Sequence, residues 1–193
     1  MKNNLLILVL GAILLNACSK KTSTPGNQLP PPSTQHISVL TQHNDNTRAG
    51  LNSRETELTT ANVNSAQFGR LFTLTVDDEV YSQPLVVGNL SIGSSSHNVI
   101  FIATVNNSVY AFDGDNGGLY WTKNFTAPGM RPPNWGDMAS GWCNPYTNFT
   151  SNIGIVGTPV IDSVSQTIYF VARSVTGSQF YQHLHAVDIT TGT

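Results

Sequence analysis

Beyond residue 37 the chain alternates between short apolar runs and clusters of turn-forming residues. Val, Ile, Phe and Tyr are frequent in the runs, while Asn, Gly, Ser and Asp separate them. This pattern is typical of short β-strands joined by tight turns. It predicts strands at residues 71–76, 80–87, 99–105, 109–112, 119–125, 155–161, 168–172 and 180–187. One short helical turn is also predicted, beginning at Thr59 or Thr60.

Part of this pattern repeats, at a spacing of 75 residues for its first and last segments and 69 residues for the middle one. QPLV at 83–86 matches TPVI at 158–161, VIFIA at 99–103 matches IYFVA at 168–172, and VYAFD at 109–113 matches LHAVD at 184–188. Three strands in each copy, with a fourth at residues 119–125 in the first copy, predict a four-stranded antiparallel unit of the propeller-blade type.

The N-terminus carries an apolar run of eleven residues, 5–15, just after Lys2. As a helix it would be about 16 Å long, which is too short to cross a bilayer but is typical of a signal-peptide core. The sequence Leu15-Asn16-Ala17-Cys18 that follows resembles a bacterial lipobox. The resemblance implies that residues 1–17 are a lipoprotein signal peptide and that Cys18 is lipidated. An ordinary secretory signal with an incidental cysteine is the alternative.

A spacer and a folded domain are predicted after the signal. Residues 18–36 contain four prolines and no aromatic residue, so they are expected to form a disordered, lipid-anchored linker. Residues 37–193 are expected to form the folded domain. This organisation predicts a cell-envelope protein held to the membrane by its lipid and facing the periplasm or the cell surface.

The composition limits the possible fold classes and binding partners. Charged residues make up 10% of the 193-residue chain, against about 25% in an average soluble domain. The scarcity of Lys and Glu argues against helices, and a hydrophobic content of 39% suffices for a core. The chain is therefore expected to be all-β. With a net charge of −2 and no large basic cluster, nucleic-acid binding is not expected.

The repeated segments resemble a known family. Residues 108–121 read SVYAFDGDNGGLYW and residues 184–192 read LHAVDITTG. Both resemble the pyrroloquinoline-quinone (PQQ) repeat of quinoprotein alcohol dehydrogenase-like propellers, and the lead-in over residues 43–52 and 58–63 is similar to the start of such proteins. The resemblance implies a β-propeller of four-stranded antiparallel blades. About one and a half blades would then be present, as the N-terminal portion of a longer propeller.

Five motif residues are expected to have structural roles: Asp113, Gly117, Trp121, Asp188 and Gly192. The carboxylates would accept backbone N–H groups at tight turns where glycine supplies a positive φ, and Trp121 would pack between blades. The turn after Asp113 could also be taken for a calcium loop. Its twelfth position is Asn124 instead of an acidic residue, so calcium is not expected there.

An insertion at residues 126–153 lacks a strand pattern. Loops of this length are often functional, so it could line a ligand pocket, or it could pack on itself over a blade edge. The candidate ligand-facing residues are Trp135, Asp137, Trp142 and Tyr146. Cys143, in the same loop, is interpreted as a small buried hydrophobe or as a disulfide partner in a longer protein.

No metal site is expected from the sequence. His183 and His185 share one face of a strand, a spacing that a metal could use, but no third ligand is evident. No Cys-x-x-Cys or Cys/His cluster is present either.

Two functions remain open. The first is a non-catalytic binding or scaffold module, anchored to the membrane by its lipid, with a protein or glycan partner on the propeller face and no assignable cofactor. The second is a PQQ-dependent dehydrogenase, which the resemblance would supply with calcium, a catalytic Asp and often a vicinal Cys pair. Those residues are not assignable here and would lie mostly beyond residue 193.

Overall fold

The computed structural model describes residues 37–138, 148–149 and 151–193. Within these ranges the chain forms two antiparallel sheets and one short 3₁₀ helix, Trp135–Met138. The prediction of an all-β chain is confirmed. None of the described helices is long and apolar enough to span a bilayer. The predicted signal peptide 1–17, Cys18, the linker 18–36, Trp142, Cys143 and Tyr146 lie outside the described residues.

The first sheet is a four-stranded meander in which each strand pairs with the next. Its strands are β1 (Leu85–Ile92), β2 (Ser95–Ala103), β3 (Ser108–Asp113) and β4 (Leu119–Asn124). Leu85, Phe101, Ala111 and Trp121 lie opposite one another across the sheet. All four are buried, so they form one row on the core-facing side.

The second sheet has three strands: β5 (Val160–Asp162), β6 (Thr167–Thr176) and β7 (Gln179–Asp188). β6 and β7 form a long hairpin that pairs from Thr167 opposite Asp188 to Thr176 opposite Gln179. Neither sheet closes on itself within the part of the chain that is described.

Side chains from both sheets share one hydrophobic core. Alternation along the strands directs one set of apolar residues inward from each sheet. The first sheet and its neighbouring segments contribute Leu85, Val87, Leu90, Val99, Phe101, Ala103, Val109, Ala111 and Trp121. The second contributes Ile155, Ile161, Ile168, Phe170, Ala172, Val187 and Ile189.

The other side of the second sheet is apolar but exposed. Val160, Tyr169, Val171 and Leu184 are 46%, 38%, 40% and 75% exposed. Val160 pairs with Tyr169 and Val171 with Leu184, so the four side chains lie on one face. We call this surface the outer face of the second sheet.

The segment just after residue 37 connects the two sheets. Val39 exchanges two backbone hydrogen bonds with Val86 in β1, at 2.8 and 3.0 Å. The next residue, Leu40, accepts a 2.8 Å bond from the amide of Ile161 in β5. The sequence pattern did not predict this connection, because a two-residue contact has no periodicity of its own.

Three predicted strands differ from the structure. The strand predicted at 155–161 begins only at Val160, as β5. Residues 71–76 alternate in burial as a strand would, yet they form no ladder, so the predicted strand is wrong there. The strand predicted at 80–87 begins only at Leu85 and continues to Ile92. Its register shifts between Val87 and Leu90, and Asn89 has a φ of 57°. A bulge therefore continues the strand through a Gly-Asn pair that resembles a turn.

The short helical turn predicted to begin at Thr59 or Thr60 is present. The amide of Val63 bonds to the carbonyl of Thr59 at 3.0 Å, and the amide of Thr59 bonds to the Asn62 side chain at 2.7 Å. One hydrogen-bonded turn therefore forms where the sequence placed it, but no helix continues from it.

Candidate functional site

Three segments meet at one end of the first sheet. They are residues 77–84 before β1, the turn at residues 104–107 between β2 and β3, and, after β4, residues 125–138 and 151–159. Backbone bonds join them: the amide of Val105 donates to Glu79 at 3.0 Å, and the amide of Gly154 donates to Val105 at 2.8 Å. We call this end of the molecule the loop face.

Asp77 lies at the centre of a hydrogen-bond network on the loop face. Its carboxylate accepts bonds from Thr104 Oγ1 at 2.8 Å, Asn106 Nδ2 at 2.8 Å and Ser108 Oγ at 2.5 Å. Burial alone would raise the pKa of Asp77, but the bonds from Ser108, Asn106 and Thr104 outweigh it and lower that pKa. The carboxylate is therefore held ionised and locks the turn between β2 and β3 in place.

Asp78 extends the network to the insertion. Its Oδ2 accepts bonds from Ser151 Oγ at 3.0 Å and Asn152 Nδ2 at 2.9 Å. The same Asn152 amide also lies 3.2 Å from the side-chain oxygen of Asn106. The end of the insertion is thus attached to the segment before β1 and to the turn between β2 and β3.

The predicted ligand-facing residues divide into two groups. Trp135 and Asp137 lie in the 3₁₀ helix at the start of the insertion, and Trp135 is 47% exposed. Asp137 forms a two-bond ion pair with Arg131, at 2.6 and 2.7 Å, and this pairing lowers the pKa of Asp137. Trp142 and Tyr146 fall outside the described residues, so the structure does not test whether the four come together.

The two Asp turns at the opposite end of the sheets have the same construction. Asp113 Oδ1 accepts the amides of Asp115 at 2.8 Å and Asn116 at 3.1 Å. Asp188 Oδ1 accepts the amides of Thr190 at 2.8 Å and Thr191 at 3.0 Å. In each turn the glycine four residues after the Asp donates to the Asp carbonyl at 2.9 Å. The repeat seen in the sequence is therefore a repeat in hydrogen bonding as well.

Each turn glycine packs against an aromatic ring from the preceding segment. Gly192, with φ +75°, lies against Trp121, and Gly117, with φ +79°, lies against Phe72. The indole of Trp121 donates a 3.0 Å bond to the carbonyl of Ile189. Trp121 thus joins β4 of the first sheet to the turn that follows β7 of the second.

A stability prediction follows from the Asp113 turn. Besides the two amides, the Asp113 carboxylate accepts a 2.5 Å bond from the Tyr120 hydroxyl. Replacement by Asn removes the charge and places an amide donor against that hydroxyl. Asp113→Asn is expected to lower the free energy of unfolding at pH 7 by about 1–3 kcal/mol. Urea denaturation measures the change. The control is Asp162→Asn, at the exposed end of β5, where the carboxylate accepts the amides of Val164 and Ser165.

The pH dependence of this contribution has a definite sign. Burial opposes ionisation of Asp113, but the bonds from Tyr120, Asp115 and Asn116 lower its pKa below the ordinary 3.8. The contribution is therefore present above about pH 4 and disappears as the pH falls through the lowered value. In that acidic range the wild type should lose its advantage over Asp113→Asn. An advantage that persists below the lowered pKa would contradict this role for the carboxylate.

Comparisons with protein-family models, curated proteins and solved structures found no match to this chain. The site must therefore be interpreted from its own chemistry.

The described residues do not fit a PQQ–calcium site. Calcium takes about six to eight oxygen ligands, whereas Asp77 and Asp78 are engaged as hydrogen-bond acceptors for protein side chains that hold the loops together. Arg131, which could bind an anionic quinone, is paired with Asp137. In the described ranges, no three His, Cys, Asp or Glu side chains gather where they could hold a metal.

Two features of this region were not predicted from the sequence. Asp77 and Asp78 were not singled out, because consecutive acidic residues after an apolar stretch look like an ordinary solvated turn. Phe72 was given no role at a turn, and no constant spacing marks it, because Phe72 and Gly117 are 45 residues apart whereas Trp121 and Gly192 are 71 residues apart.

Proposed function

We propose that the protein is a lipid-anchored cell-envelope member of the PQQ-repeat propeller family that acts as a non-catalytic binding or scaffold module. The two sheets are successive blades, and the partner, a protein or a glycan, contacts the loop face. The N-terminal lipid on Cys18 holds the module at the membrane.

Repetition and exposure support the propeller architecture. The Asp113 and Asp188 turns share their hydrogen bonds, and Gly117 and Gly192 each pack against a ring from the preceding segment. The outer face of the second sheet is apolar and exposed, which suits a surface that a further blade covers. The free edge of β7 suits a further strand in the same way.

The observation that carries the binding role is the lowered pKa of two carboxylates on the loop face, those of Asp77 and Asp137. A general base works best with a pKa near the operating pH. A carboxylate would need a raised pKa for that role. Instead, hydrogen bonds lower the pKa of Asp77, and the ion pair with Arg131 lowers the pKa of Asp137. These groups therefore stabilise the loops, while the exposed ring of Trp135 beside them offers a contact surface.

Site-specific photo-crosslinking in the envelope of a bacterial host tests the proposal. A crosslinking amino acid replaces Trp135 on the loop face or, as the control, Val164, which is 92% exposed in the turn between β5 and β6 at the other end of the strands. We expect a discrete adduct from position 135 and none from position 164. For a glycan partner, co-sedimentation with purified envelope polysaccharide should weaken in Trp135→Ala.

A second measurement separates this function from the enzyme. The protein is incubated with PQQ and Ca²⁺, and quinone absorbance and dye reduction with alcohols are followed. We expect neither signal above a buffer blank. Alcohol-dependent dye reduction, or equal adducts from positions 135 and 164, would overturn the binding proposal.

A further inference from the structure

Three buried polar atoms without partners lie on one face of the β6–β7 hairpin. They are Ser174 Oγ, His183 Nε2 and His185 Nε2, and none has a hydrogen-bond partner within the described part of the chain. Buried polar atoms in native proteins are almost always satisfied, so each exception requires an explanation such as a bound ion or water. Three exceptions on one strand pair indicate a common cause.

The register places these side chains next to one another. His183 is opposite Ala172 and His185 is opposite Phe170, while Ser174 is opposite Tyr181. Residues two apart on a strand share a face, so both imidazoles project to the side on which Ala172 and Phe170 are buried. The His185 ring stacks on Phe170 at 5.2 Å and meets Phe125 edge-on at 5.1 Å. This packing limits the movement of the His185 ring.

The separation of the two rings fits a shared ion. The centroids of His183 and His185 are 6.4 Å apart and their planes are tilted by 50°. An ion about 2 Å from each Nε2 lies about 3 Å from each ring centre, so tetrahedral geometry favours centres about 5 Å apart. Because packing limits the movement of the His185 ring, the His183 ring would have to make the shift of about 1 Å that closes this difference.

We propose that His183 Nε2 and His185 Nε2 bind one late first-row transition-metal dication, such as Zn²⁺. Imidazole nitrogen is a preferred ligand for Zn²⁺, Cu²⁺ and Ni²⁺, and two ligands from one strand leave positions open for water or for a ligand. Ser174 supplies a buried hydroxyl on the same face for a metal-bound water. The site is separate from the loop-face carboxylates.

Imidazole must be neutral to bind a metal. No ion pair joins His183 or His185 to a carboxylate within the described part of the chain.

Isothermal titration of the full-length protein, purified without a polyhistidine tag, tests the site with Zn²⁺ alone. We expect one saturable equivalent. His183→Gln and His185→Phe should each weaken binding by about tenfold or more, since even the loss of an outer-shell partner costs about that much. The second variant keeps a ring against Phe170 and so preserves the packing. His43→Gln, in an exposed loop, is the matched control and should bind as the wild type does.

Electron paramagnetic resonance of the Cu²⁺-loaded wild type gives a readout that does not depend on the folding of any variant. We expect hyperfine splitting from two equivalent imidazole nitrogens. Three results would overturn the site: no saturable Zn²⁺ binding, Zn²⁺ binding that survives when His183→Gln and His185→Phe are combined, or a Cu²⁺ spectrum with fewer than two imidazoles. In the first case, water would be the occupant of the cluster.

Discussion

Replacing Trp121 with alanine is expected to lower the free energy of unfolding by about 3–5 kcal/mol, the usual cost of truncating a large aromatic side chain in a core. Trp121 is 8% exposed, and its ring centre lies 6.0 Å from that of Phe101. Its indole N–H also satisfies the carbonyl of Ile189. The substitution therefore opens a cavity between the sheets and leaves a buried carbonyl without its donor.

Trp135→Ala is the matched control for this experiment. The same side chain is removed, but Trp135 is 47% exposed in the 3₁₀ helix, so the expected cost is about 1 kcal/mol or less. Both variants are compared with the wild type by urea denaturation followed with far-ultraviolet circular dichroism. Equal midpoints for the two variants would show that Trp121 does not hold the sheets together.

Gly192→Ala should destabilise the protein by about 2–5 kcal/mol. Gly192 has a φ of +75°, and a Cβ built there would lie 2.8 Å from Cδ2 and Cε3 of Trp121. The left-handed backbone costs a non-glycine residue about 1–2 kcal/mol, and displacing a packed ring costs about 1–3 kcal/mol more. The change in urea midpoint at constant slope measures the sum.

Gly177→Ala separates the two contributions. Gly177 has a φ of +55°, but a Cβ there meets no atom within 4 Å. It therefore carries the backbone cost alone, about 1–2 kcal/mol. If both glycine variants lose the same stability, the turn after Asp188 does not pack tightly against Trp121.

The positions of strands could be predicted from the sequence wherever a turn motif bounded an apolar run. The run at residues 109–112 lies between Asn107 and the Asp113 turn, and the structure extends it only to Ser108–Asp113. The run at 71–76 has the same alternation but forms no ladder. Alternation of apolar and polar residues indicates which side chains are buried. A β-strand also needs an adjacent strand to pair with its backbone, and the local sequence does not specify that partner.

The functional region was less accessible for a similar reason. Asp77 and Asp78 matter because Asn106 and Asn152, distant in sequence, donate hydrogen bonds to them. A single sequence marks such residues only as polar loop positions. The Asp-turn-Gly motif, by contrast, was recognisable because the bonds that its Asp carboxylate and carbonyl accept from backbone amides lie within five residues.

The bridge formed by Val39 and Leu40 imposes an order on folding. Leu40 and Ile161 are about 120 residues apart in the chain, and contacts of such long sequence separation form slowly. The Val39–Val86 contact closes a much shorter loop, but it requires β1 to be in place. We therefore expect this N-terminal segment of the folded domain to dock last, after both hairpins have formed. Until then the free edges of β1 and β5 are open to other strands, so this interval is the period of greatest risk for misassembly.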